Sequence, residues 1–146
     1  MISKILIPVD GSEGSKKALE LACEFGRKQD ASLHVLHNAQ PPPGKRVLAL
    51  GAAAITVDAN PETLEKAGKR VVNSAKDIAR EHGFGKIAAS VVGGDPSARI
   101  IDYARSKNID MIVMGTRGLS DLSGLLMGSV SHKVSHLAPW TCVTVR

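Results

Sequence analysis

Two clusters of residue types in this chain carry the means for chemistry. Pro8-Val9-Asp10 follows a run of Ile and Leu and ends on a carboxylate. Met114-Gly115-Thr116-Arg117-Gly118 follows another apolar run, and after nine intervening residues comes Gly128-Ser129-Val130-Ser131. Glycines after a strand let the backbone turn sharply and approach a ligand with no Cβ in the way. If Gly128-Ser129 opens a helix, its unpaired N–H groups and positive dipole end make an anion site. Ser129 and Ser131 add hydroxyl donors, and Arg117 and Lys133 add positive charge. A carboxylate at Asp10 is suited to accept hydrogen bonds from sugar hydroxyls. The pattern puts phosphate donors on one side and a sugar acceptor on the other. Plainer roles stand beside these: Asp10 as a cap of the next helix, Ser129 as an N-cap, and the glycines as simple turns.

Residues so far apart need a scaffold that brings them together. Five β-like runs, Ile2–Val9, Ser32–Asn38, Ile87–Val92, Met111–Met114 and Thr141–Val145, alternate with helix-like segments. Ser12–Gln29 has Ala18, Ala22 and Phe25 at helical spacing, with Ser12 as its cap. Asn60-Pro61 and Asp95-Pro96 each read as a cap followed by the first helical residue. The first leads a helix with Leu64, Ala67, Val71, Ala75 and Ile78 on one stripe, closed by Gly83. The second leads a helix to about Lys107. A last helix starts near Ser129, with Val130, Val134 and Leu137 on one face, and Pro139 ends it. Alternating strands and helices predict an α/β fold, parallel strands with helices on both faces. Pro8 lacks the donor a central strand needs, so it belongs where the first strand is leaving the sheet. In such a sheet, ligands sit at the carboxyl ends of the strands, at the switch point, where both clusters fall. Pro41-Pro42-Pro43-Gly44 forbids helix. Val47–Val57 is apolar and alanine-rich without a clear period; a flap and a partner-contact segment are both open readings.

Composition removes several classes of function. At 146 residues, 43% hydrophobic and 23% charged, the chain suits one globular domain. Aromatics are 3%, so the core must be aliphatic. The net charge of +5 raises the question of nucleic acid. The cations are scattered, however, and there is almost no aromatic surface for stacking bases. No nucleic acid partner is expected. No apolar run approaches the ~18 residues of a membrane span, and the start lacks signal-peptide features. The expectation is a cytoplasmic protein with no membrane contact. Cys23 and Cys142 form neither a disulfide framework nor a zinc pattern and read as buried thiols.

The spacing G-x2-G-x9-G-[ST], here Gly115, Gly118, Gly128 and Ser129, resembles the ATP-binding motif of the universal stress protein family. The opening Ile-Leu-Ile-Pro-Val-Asp-Gly-Ser is similar to that family's start, and Ala138-Pro139-Trp140-Thr141-Cys142-Val143-Thr144-Val145 to its end. The resemblance spans residues 1–146 as one domain. It implies an open five-stranded parallel sheet of order 3-2-1-4-5, of the adenine nucleotide alpha hydrolase-like kind. It also implies ATP as ligand, with or without Mg²⁺, and a homodimer, which we place on the terminal strand Thr141–Val145. The site residues it implies are Pro8, Val9, Asp10, Asn38, Met114, Gly115, Thr116, Arg117, Gly118, Gly128, Ser129, Val130 and Ser131. Two differences stand out: Asn38 occupies a place that often holds Val beside the adenine, and Pro-Trp-Thr-Cys-Val replaces the usual Cys-Pro-Val.

Other motifs lead elsewhere. Gly83-Phe84-Gly85-Lys86-Ile87-Ala88 precedes a strand instead of following one, so the dinucleotide mechanism does not apply. No Gly-Lys precedes Ser or Thr, so there is no P-loop. His132 and His136 have metal-pair spacing but no third ligand, and His34 reads as a strand histidine. Three functions are compared: an ATP-binding signalling module, a slow ATPase or self-phosphorylating enzyme of the same fold, and a non-nucleotide interaction protein whose loop holds an anion. Metal-assisted phosphoryl transfer wants carboxylates near the phosphates, and the loop contains Asp121 alone, which favours binding over catalysis.

Overall fold

The computed structural model describes residues 1–39, 47–50, 53–56, 60–85, 87–118 and 128–146. In chain order the elements are β1 (Lys4–Pro8), α1 (Glu13–Gln29), β2 (Ser32–Asn38), β3 (Val47–Leu50), β4 (Ala53–Thr56), α2 (Pro61–Glu81), β5 (Ile87–Val92), α3 (Pro96–Lys107), β6 (Met111–Gly115), α4 (Ser129–Leu137) and β7 (Thr141–Val145). Five strands form one parallel sheet in the order β5-β2-β1-β6-β7. Counting only those five, this is the expected 3-2-1-4-5.

The central strand is apolar on both faces because both are covered. Ile5, Leu6 and Ile7 are all fully buried. Ile5 and Ile7 pack with Leu19 and Ala22 of α1 and Val72 and Ala75 of α2. Leu6 faces the other way, into Ile100 and Ala104 of α3 and Val134 of α4. Pro8 is the last residue of β1, where a missing donor costs least, and the next amide, Val9 N–H, still bonds Leu36 O at 2.9 Å.

The helix starts follow their capping residues. Ser12 accepts from Ser15 N–H, Asn60 from Glu62 N–H, and Asp95 from Ala98 N–H, each satisfying an otherwise orphaned donor. Behind Gly83, Phe84 N–H reaches back to Ala79 O at 3.0 Å, the six-to-one bond that closes a helix.

The structure departs from the sequence reading in Val47–Val57. Val47–Leu50 and Ala53–Thr56 pair antiparallel, as a two-stranded sheet apart from the main one. Gly51 between two apolar runs was the available signal; alanine, weak in strands, hid it. Val57 and the proline triplet fall outside the described residues.

The amino terminus is tied to the start of β6 by one carboxylate. Asp110 accepts from Ser3 N–H at 2.9 Å, Ser3 Oγ–H at 2.8 Å and Lys4 N–H at 2.9 Å. The Ser3 amide first, then its hydroxyl and the Lys4 amide, hold the Asp110 carboxyl below its usual range. A depressed folded value gives stability that is present above the unfolded value and lost as pH falls through the folded one. Asp110→Asn is therefore expected to lower the melting temperature at neutral pH. The gap from the unaltered protein should close as pH drops below about 4. A gap that stays constant from pH 7 to pH 3 would exclude this role.

Candidate functional site

The loops after β1 and β6 leave the sheet at its carboxyl edge, at the point where the chain order reverses around β1. A cleft of about 160 Å³ opens there. Of the thirteen residues expected at the site, eleven line it: Pro8, Val9, Asp10, Asn38, Met114, Gly115, Arg117, Gly118, Ser129, Val130 and Ser131. Thr116 and Gly128 do not. They build the site from behind. Thr116 N–H and Oγ1–H both donate to Val145 O, at 2.7 and 3.1 Å, while Thr116 O accepts from Gly128 N–H at 2.6 Å. One residue thus joins β7, β6 and the entry to α4.

The last helix begins at Ser129, as expected, but Ser129 does not cap it. Gly128 is the N-cap of α4, with no side-chain capping bond, so Ser129 is the first helical residue and not a cap. Ser129, Val130 and Ser131, the first turn, border the cleft. The first intrahelical acceptor is Gly128 O, which takes His132 N–H at 3.0 Å. The positive end of the helix therefore faces the cleft. Ser131, read from the sequence as a hydroxyl donor to a ligand, turns inward instead. It is buried, and its Oγ lies 2.9 Å from Thr116 O and 3.0 Å from Gly128 O. Its hydroxyl anchors the helix start. Lys133 is exposed and does not line the cleft.

Asp10 reaches the cleft from the end of β1. Its Oδ1 accepts from Ser12 N–H at 2.9 Å, and Ser12 in turn caps α1. The glycines do not all serve the same end. A Cβ on Gly118 would stand 2.5 Å from Asp10 Oδ2, so this glycine makes room for the carboxylate. A Cβ on Gly115 would stand 2.8 Å from the Gly14 carbonyl carbon, so that glycine lets α1 lie against β6.

Four lining residues were not foreseen: Ser15, Leu36, Pro96 and Ile100. The Asp95-Pro96 helix start, following a strand at the same sheet edge, was the signal for the last two. His37 was also missed; nothing in its spacing marks it. Its Nδ1 lies 2.8 Å from Val9 O, so a ring N–H there donates to the carbonyl and braces the loop carrying Asp10. Asn38 ends β2, and both of its amide atoms are shielded from solvent with no hydrogen-bond partner among the described residues.

Other reactive groups lie elsewhere. Burial pushes the Cys23 thiol up to about 11, which makes it a poor nucleophile. His132 and His136 stack with rings parallel, 6.3 Å apart, on the exposed side of α4. Among the described residues, no three His, Cys, Asp or Glu side chains gather, and no helix is long and apolar enough to cross a membrane. Asp121 lies outside the described residues.

The same architecture and sequence pattern recur in known proteins. The chain is 32% identical to universal stress protein YxiE of Bacillus subtilis, over all of both chains. The structure of MJ0577 from Methanocaldococcus jannaschii superposes with a TM-score of 0.77 at 25% identity, covering 99% of this chain and 96% of that one. A universal stress protein solved in complex with cAMP superposes at 0.73 with 24% identity, covering 99% and 97%. The universal stress protein family matches this sequence across residues 1–146. Sheet order, both termini and full-length similarity therefore agree: the chain belongs to the universal stress protein family.

Proposed function

We propose that this protein is an ATP-binding module, a cytoplasmic homodimer that holds its nucleotide in the cleft between β1 and β6 without appreciable turnover. The observation that carries the reading is the convergence of three different groups on one cleft. The α4 amino terminus offers N–H groups and dipole to phosphates. Asp10 offers a carboxylate to the ribose. The buried amide of Asn38 has no hydrogen-bond partner among the described residues, on the side where a base would lie. These groups fit a nucleotide end to end, and a simple anion would use only the first. The fold has this capacity, since a protein sharing it is solved with cAMP. Asp10 is the one carboxylate among the described residues that line the cleft. That suits binding better than metal-assisted transfer, which needs metal-holding carboxylates near the phosphates.

Freshly purified protein should release an adenine nucleotide on denaturation, identifiable by mass spectrometry, and the stripped protein should bind ATP by calorimetry. Protein that carries no nucleotide and shows no heat with ATP would reject the reading. A turnover near 1 s⁻¹, at the low end of ordinary enzymes, would replace it with the ATPase alternative.

The dimer is argued from β7. It is an edge of the sheet, and its residues are exposed or half-buried. An apolar edge with free N–H and C=O groups invites pairing with a second copy, and an antiparallel two-fold pairing closes on itself. Light scattering should give twice the chain mass at micromolar concentration, and Thr144→Pro should give a folded monomer, because Val145 and Val143 turn their main-chain groups to β6 and Thr144 turns its own to the open edge. A monomeric unaltered protein would rule this interface out.

A further inference from the structure

We propose that Asn38 reads the base of the bound nucleotide through its side-chain amide, accepting 6-amino and 6-keto purines alike. The inference rests on the nucleotide reading above. Buried polar side chains in folded proteins are almost always hydrogen-bonded, yet Asn38 Nδ2 and Oδ1 are both shielded and have no partner among the described residues. Its strand is held in place on the main chain: Asn38 stands in register with Val92, and the next amide, Ala39 N–H, bonds Val92 O at 2.7 Å. By strand alternation Asn38 shares a face with Leu36, whose side chain is buried among residues of α3 and β6. With Leu36, Pro96, Ile100 and Met114 it lines the cleft. A leucine there would match those neighbours better, so an amide in that place has a use beyond packing.

The order of groups along the sheet edge says what the use is. Asn38 ends β2, Asp10 follows β1, and the α4 amino terminus follows β6. These three strands are successive neighbours, about 4.8 Å apart at each step. A nucleotide with its phosphates at α4 and its ribose at Asp10 therefore puts its base at Asn38. Apolar side chains suit the ring faces, and the amide suits its edge.

A planar amide offers one donor side and one acceptor side. Adenine presents its 6-amino donor beside a ring-nitrogen acceptor, and an asparagine amide pairs with both at once. Guanine presents a 6-keto acceptor beside a ring N–H donor. The same amide turned over pairs with that edge equally well. Since no protein group among the described residues holds Asn38 in one orientation, the turn costs little.

The test compares ATP, GTP and purine riboside triphosphate, which lacks any 6-substituent, with tripolyphosphate as the base-free control. Calorimetry on the nucleotide-stripped, full-length protein is expected to give ATP and GTP affinities within about 10-fold of each other. Purine riboside triphosphate should bind about 10- to 100-fold more weakly than ATP, the discrimination of one paired contact. Asn38→Leu should abolish that difference and, without ligand, raise the melting temperature by roughly 2–4 °C, because a buried unpaired amide is gone. Equal binding of ATP and purine riboside triphosphate by the unaltered protein would overturn the inference and leave the nucleotide reading standing. GTP weaker than ATP by 100-fold, or a lower melting temperature in Asn38→Leu, would also overturn it. No binding of any nucleotide would overturn both.

Discussion

Gly115→Ala is expected to lower the melting temperature by roughly 2–12 °C, the shift that corresponds to an overpacking cost of about 1–3 kcal/mol in a domain of this size. The added methyl would stand 2.8 Å from the Gly14 carbonyl carbon, 3.0 Å from Gly14 O and 3.1 Å from Ser15 N. These are backbone atoms of the first turn of α1, so no rotamer change relieves the contact. The approach is mutual: a Cβ on Gly14 would lie 3.0 Å from Arg117 O. Helix and strand touch here through paired glycines, and α1 must shift if either gains a side chain. Gly93→Ala is the control. A Cβ there would meet only Ala39 O, at 3.8 Å, and its effect should stay within about 0.5 kcal/mol. Thermal unfolding followed by circular dichroism compares the two. If Gly115→Ala melts with the unaltered protein, the close approach of α1 to β6 does not constrain the fold.

Asp10→Ala is expected to weaken ATP binding by about 10- to 150-fold, or about 1.5–3 kcal/mol, the worth of a hydrogen bond to a charged group. Folding should be little affected, because the Ser12 N–H bond is local to the turn that introduces α1. The sign of the change is informative. If the carboxylate were only a neighbour of the phosphates, its removal would relieve like-charge repulsion and tighten ATP. Weaker binding is expected because the ribose hydroxyls lose an acceptor. Calorimetry decides it, and an unchanged or smaller dissociation constant would reduce Asp10 to the turn that introduces α1.

Much of this fold is legible in the sequence, and for local reasons. The strand and helix starts were marked by short-range chemistry: Asn60-Pro61, Asp95-Pro96 and Ser12 cap the helices they precede. The buried runs of β1 and β6 are apolar without alternation because both faces are covered. The β3–β4 hairpin was not legible, because alanine-rich strands lack the branched and aromatic residues that mark a strand. For the site, the clusters at Asp10 and at Gly115 to Ser131 were recognisable because a carboxyl-edge site must draw on loops that directly follow strands.

The sequence by itself determined the element order, the family pattern and the sheet edge on which the chemistry would lie. These follow from hydrophobic period, capping residues and spacing, all properties of neighbours along the chain. Only the tertiary structure decided what each small or polar residue does. A glycine in a sequence announces a missing Cβ and is silent about who fills the space. At Gly118 it is the Asp10 carboxylate, and at Gly115 it is the backbone of α1. Ser131 has the donor its type implies, but the approach of Thr116 O turned that donor inward. Asn38 is left with no hydrogen-bond partner among the described residues where it meets Leu36, Pro96 and Ile100 at the cleft. Burial and partner choice are set by contacts between residues distant in the chain, which spacing along the chain does not encode.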